Sequence, residues 1–143
     1  MREILFRVKD DLSGQWLYGC PVIAEDKEAM YFFTDEKNGN FRQHICMRKT
    51  VGQYTGLIDK NGTKIFEGDI VQYIFPVENA DPDIGIIKFS ECEKNLDNYY
   101  GCGFHIEWKD SYLRTDIGYW TNYKGNKMEV IGNIHDNPEL LHT

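Results

Sequence analysis

Apolar and polar residues alternate along much of this chain, and clusters of turn-forming residues cut the alternation at short intervals. Period two places successive side chains on opposite faces, so the pattern predicts β-strands. Over residues 2–9, Ile4, Phe6 and Val8 point one way, and Glu3, Leu5, Arg7 and Lys9 the other. Asp10-Asp11-Leu12-Ser13-Gly14 turns the chain into a second strand that begins Gln15-Trp16-Leu17-Tyr18. Residues 24–30 contain helix formers but are too few for more than one turn. Residues 31–34 and 40–47 flank Asn38-Gly39, a pair suited to tight hairpin turns.

Residues 53–71 carry the densest pattern. Thr55 and Leu57 lead into Asp59-Lys60-Asn61-Gly62, Ile65 and Phe66 lead out, and Glu67-Gly68-Asp69 re-aims the chain. Gly62 and Gly68 are expected at backbone angles unfavourable to other residues. Residues 70–75 are apolar on both faces, which suits a central strand or a small barrel, and Pro76 ends the run. Residues 76–84 read as a loop, 85–89 as a strand and 103–108 as a cleanly alternating strand. A helical turn is possible within 93–99, and 112–120 gives no clear pattern. Lys124-Gly125-Asn126-Lys127 turns into a last strand over 128–134. Asn137-Pro138-Glu139 starts a short C-terminal helical turn, with Asn137 as its expected cap. The whole reads as one domain over 1–143, with a soft boundary near residue 50.

Composition narrows the function. Sixteen Lys and Arg against 23 Asp and Glu leave a net charge of −7. Such a surface repels phosphates and argues against nucleic acid, unless Arg42, Arg48 and Lys49 act as a local basic patch. No apolar run approaches the roughly 20 residues that span a bilayer. Arg2, Glu3 and Arg7 interrupt Ile4-Leu5-Phe6, so no signal-peptide core is expected. A reducing cytosol follows, with Cys20, Cys46, Cys92 and Cys102 as thiols.

Three blocks resemble the YopX protein family of phages and prophages. They are residues 2–8 (Arg-Glu-Ile-Leu-Phe-Arg-Val), the 53–71 run, and residues 130–141 (Val-Ile-Gly-Asn-Ile-His-Asp-Asn-Pro-Glu-Leu-Leu). The blocks occur in order from end to end. Val8-Lys9-Asp10 departs from the family's usual sequence after the arginine, and residues 85–125 match loosely. The resemblance implies a mostly β protein, with an SH3-like, partly open barrel over about 51–137 beside an N-terminal hairpin region. It also implies a phage or prophage gene expressed in the bacterial cytoplasm. It brings no established activity and no catalytic residues.

Candidate chemistry is sparse. Cys92, Cys102 and His105, with Cys46 or His44, offer ligand types for zinc, but only Cys102-x-x-His105 has useful spacing, and a strand would point the two apart. His44 and Cys46 share a strand face without a visible oxyanion hole. Glu67 and Asp69 bracket a glycine, and Asp69 is expected to bond backbone amides of its own turn. Asp81-x-Asp83 fails as a calcium loop, because Ile86 and Cys92 stand where glycine and glutamate are required. Trp16, Tyr54, Trp108 and Trp120 are candidates for base stacking, with core packing as the plainer account.

No catalytic residue, metal or cofactor is therefore assigned. The expected function is a non-enzymatic binding or adaptor protein with a protein partner, host or phage. Its loops and open strand edges would serve partners or copies of itself. A nucleic-acid accessory factor is the second reading, and a small enzyme using His44, His105 or a thiol the third.

Overall fold

The computed structural model describes residues 1–23, 30–35, 40–90, 103–110, 113, 115–122 and 127–142. The protein is mostly β. Among the described residues there are two antiparallel sheets, one short α-helix and no closed barrel. The chain forms two compact units, residues 1–54 and 55–143.

In the first unit, β1 (Phe6–Lys9) pairs with β2 (Trp16–Ile23), β2 with β3 (Met30–Asp35), and β3 with β4 (Phe41–Ile45). The turn between β1 and β2 works as its composition suggests. Asp10 Oδ2 accepts the Ser13 amide at 2.9 Å, and Gly14 takes a φ of 68°. The sheet also curls. An isolated bridge joins Asp10 to Cys46, flanked by hydrogen bonds from Asp11 N–H to the Ile45 carbonyl and from Met47 N–H to the Lys9 carbonyl. Inside the curl lie fully buried Val8 and Phe32 beside Cys46, with Phe6, Leu17 and Val51 packed against them. A 3-10 turn over Arg48–Thr50 follows, and Thr50 Oγ1 accepts the Lys9 amide at 2.9 Å.

Strand β5 (Gly52–Ile58) starts in the first unit, where Gly52 and Gln53 pair with β1, and continues into the second beside β6 (Lys64–Phe66). The other sheet of the second unit has the order β10-β7-β8-β9. Its strands are β7 (Asp69–Tyr73), β8 (Asp83–Ser90), β9 (Gly103–Trp108) and β10 (Met128–Asn133). Strand β7 is central, as its two apolar faces predict. Its core joins Ile65, Val71, Ile87, Ile106 and Met128 to Trp108, Ile117 and Trp120. Trp108 and Trp120 pack edge-on with centroids 5.6 Å apart, and Tyr73 lies tilted 4.5 Å from Trp120.

The segment without a clear pattern holds helix α1 (Ile117–Asn122). Asp116 Oδ1 accepts the Gly118 amide at 2.8 Å, and Ile117, Trp120 and Thr121 turn inward together. The possible helical turn within 93–99 lies outside the described residues, as do Asn38-Gly39 and 24–29. The C-terminal turn is 3-10 over Pro138–Leu141, and Asn137 does not cap it. Instead, Asn137 Oδ1 accepts the Asn133 amide at 3.3 Å. Gly132 leaves the room for this: a Cβ there would stand 2.5 Å from that same oxygen.

Candidate functional site

Among the described residues, the 53–71 run supplies the most buried carboxylates, Asp59 and Asp69, and each is used on the backbone. Asp59 is 2% exposed. Its Oδ1 accepts the amides of Asn61 at 2.8 Å and Thr63 at 2.9 Å, and its Oδ2 accepts the amide of Val130 at 3.0 Å. One side chain thus shapes the turn and pins it to the edge strand β10. Lys60 N–H to the Met128 carbonyl adds a backbone bond to that seam. Gly62 closes the turn at a φ of 80°. Asp69, 1% exposed, accepts the Phe66 amide at 2.7 Å, as expected for a turn carboxylate. Gly68, at a φ of 85°, donates to the Ile87 carbonyl and accepts from Ile134 N–H.

The closing block is built the same way. Asn133 Oδ1 accepts the amides of His135 and Asp136, both at 3.0 Å, while its Nδ2 donates to Asp136. Glu129 accepts from Lys60 at 2.6 Å and from Gln72 and Asn61 at 3.3 Å. The Lys60 bond, then the Gln72 bond, hold its carboxyl below the usual range.

Of the residues proposed from sequence for reactivity, His44 lies in β4 and Cys46 just past its end, at the isolated bridge to Asp10, and the structure does not make them a nucleophile pair. His44 Nε2 lies 3.1 Å from Thr34 Oγ1, and its Nδ1 stands 4.0 Å from Asp10 Oδ1. Burial, then Asp10 and Asp11, push the Cys46 thiol up to about 11, so it stays protonated at neutral pH. Asp10 itself is lowered mainly by its Ser13 hydrogen bonds, with smaller help from His44 and Arg42. His105 Nδ1 meets Ser90 Oγ at 3.3 Å. Cys92 and Cys102 lie outside the described residues, and no cluster suited to a metal ion occurs among the described ones. Tyr54, Trp108 and Trp120 are buried and unavailable for stacking. Trp16 is half-buried, with the Arg7 guanidinium 4.7 Å and the Lys9 ammonium 5.5 Å from its ring.

The remaining feature is a surface. Alternation along β2, β3 and β4, in the observed register, puts Tyr18, Cys20, Val22, Tyr31, Phe33, Phe41, Gln43 and Ile45 on one face, opposite the Val8–Phe32–Cys46 core. That face is open. Tyr18 and Val22 are each 50% exposed, Ile45 64% and Phe41 75%. Sequence reasoning passed over it because a strand pattern shows two faces without showing which one is covered.

A family model described as YopX protein matches residues 5–142. Among solved structures, protein EF1440 from Enterococcus faecalis is similar, with a TM-score of 0.60 and 25% identity over 99% of each chain. No curated protein matches this chain.

Proposed function

The chain belongs to the YopX protein family, and from that premise we propose that it is a non-enzymatic protein-binding module. The apolar outer face of the first unit's sheet is its contact surface. It is encoded by a phage or prophage and works inside the bacterial cell. The carrying observation is the set of large apolar side chains standing at least half exposed on one strand face: Tyr18, Val22, Phe41 and Ile45. Large apolar side chains exposed together on one strand face are what protein contacts use. The chemistry of the remaining groups fits a binder. Asp59 and Asp69 of the 53–71 run serve backbone amides, and the Cys46 thiol is held in its unreactive form.

The test compares the proteins retained from bacterial lysate by the immobilised chain and by its Phe41→Asp/Ile45→Asp variant. A retained species lost specifically in the variant is the expected result. Identical retention by both chains would remove the face from consideration.

A further inference from the structure

The turn over 59–63 carries a reactive pair that the binding role does not use. Among the described residues, Asn61 is the one asparagine followed by glycine, and both residues are exposed. The backbone nitrogen after an asparagine can attack the carbonyl carbon of the asparagine side chain. A side chain on the following residue obstructs that approach, and glycine has none. At Gly62 even an added Cβ would meet nothing within 4 Å, so no neighbour closes off the reaction.

We propose that Asn61 is a site of spontaneous deamidation whose rate is set by the clamp around Asp59. A bond forms between the Gly62 nitrogen and Asn61 Cγ, and the Cγ–Nδ2 bond breaks. Ammonia leaves, carrying the proton of the Gly62 amide. Water then opens the cyclic imide at either carbonyl and leaves aspartate or isoaspartate, with no oxidation or reduction. The folded turn resists the first step at two points. Gly62 N–H donates to the Asp59 carbonyl at 3.1 Å, which fixes the attacking nitrogen and its proton. Asn61 Nδ2 donates to Glu129 Oε1 at 3.3 Å, which draws the amide towards β10. Glu129 is itself held by Lys60 at 2.6 Å and Gln72 at 3.3 Å. Ring closure therefore waits for the turn to open locally, and an exposed turn opens more often than the unit around it unfolds.

The product reaches beyond the turn. Aspartate at 61 replaces a donor to Glu129 with a second carboxylate, and the two repel. It adds negative charge to residues 55–143, which carry eight Lys and Arg against fifteen Asp and Glu, whereas residues 1–54 carry eight of each sign. Isoaspartate goes further, because it inserts a methylene into the main chain between residues 61 and 62. That changes the spacing by which Asp59 Oδ1 accepts the Asn61 amide at 2.8 Å and the Thr63 amide at 2.9 Å. The other oxygen of the same carboxylate holds Val130 N–H at 3.0 Å, so a loosened turn loosens the edge strand. Hydrolysis of the imide runs one way, and the change accumulates with the age of the molecule.

The test incubates the full chain at mildly alkaline pH, natively and in guanidinium chloride. Peptide maps by mass spectrometry separate Asn61-Gly62 from Asn38-Gly39 and read the replacement of amide by acid. The expected result is conversion at Asn61 in both samples, slower in the folded chain by about tenfold, the equivalent of about 1.4 kcal/mol of local opening. Glu129→Ala, with unaltered circular dichroism, should quicken conversion in the folded chain severalfold. Conversion in denaturant alone would overturn Asn61 as a site in the folded protein. Equal rates in the two samples would overturn control by the turn, and this comparison uses the parent chain alone. An unchanged rate in a folded Glu129→Ala variant would remove Glu129 from that control. Asn61→Asp should speed amide exchange at Val130, and unchanged exchange there would overturn the link to β10.

Discussion

The two units solve the same problem, covering a β-sheet, with different resources. Residues 55–143 bury six or more large apolar side chains between sheet, hairpin and helix, and tie their edge strand down with Asp59 and Asn133. Residues 1–54 bury Val8, Phe32 and Cys46 within the curl of one sheet, and leave the outer face open. The second unit holds the buried turn carboxylates and all of the net charge; the first is neutral and exposes its apolar side chains. The contrast separates two meanings of a dense motif. The 53–71 run is rich in polar residues because it is a structural clamp, whereas the plainer strands of the first unit carry the accessible surface.

The largest expected effect probes the smaller core. Phe32→Ala removes the largest fully buried side chain among the first unit's described residues and should cost about 3–5 kcal/mol. Amide exchange should show residues 1–54 losing protection while the second unit keeps most of its own. Equal loss in both would mean that the units share one cooperative transition.

Asp59→Ala comes next and addresses the clamp. It leaves three backbone amides without their carboxylate and should lower stability by about 3 kcal/mol, read by urea unfolding. Exchange should quicken at Val130 as well as in the turn. A change confined to residues 59–63 would show that the bond to β10 contributes little.

Gly68→Val and Gly62→Val follow, at about 1–3 kcal/mol each through left-handed backbone strain. Gly68 should cost more, because its new side chain also meets Ile134 at 3.6 Å, whereas Gly62 faces open space. Equal melting temperatures for the two variants would set strain above packing at both sites.

The smallest effect is alkaline. The Cys46 thiol is raised in the folded state from 9.0 to about 11. Its stabilisation is therefore complete below pH 9 and lost as pH rises through about 11, because the unfolded chain releases the proton first. Urea midpoints should decline over that window in the parent and decline less in Cys46→Ala. An identical decline in both would assign it to other groups. Thiol labelling at neutral pH should be faster at exposed Cys20 than at Cys46.

Much of the architecture is legible locally. Asn61-Gly62 and Glu67-Gly68-Asp69 announce reversals because few residues tolerate positive φ, and both glycines adopt it. Strand β7 announces its central place by being apolar on both faces. Helix α1 is illegible for the converse reason. Six residues including Gly118 have little intrinsic helicity, and the helix exists because Ile117 and Trp120 find the core. Asn137 misleads as an expected cap because its side chain has a better use at Gly132 and Asn133, visible only once β10 and the final turn meet.

By itself, the sequence determined the β class, the positions of the reversals, the family and the acidic balance. These depend on periodicity, on φ restrictions and on counting, all of which act over a few residues or over the whole chain at once. Tertiary structure alone decided that Asp59 reaches Val130 and that Trp108 and Trp120 are core. It also decided that the β2–β4 sheet turns one apolar face inward and leaves its twin exposed. Alternation marks two faces on every strand, but which of them loses its water depends on what the rest of the chain brings to it.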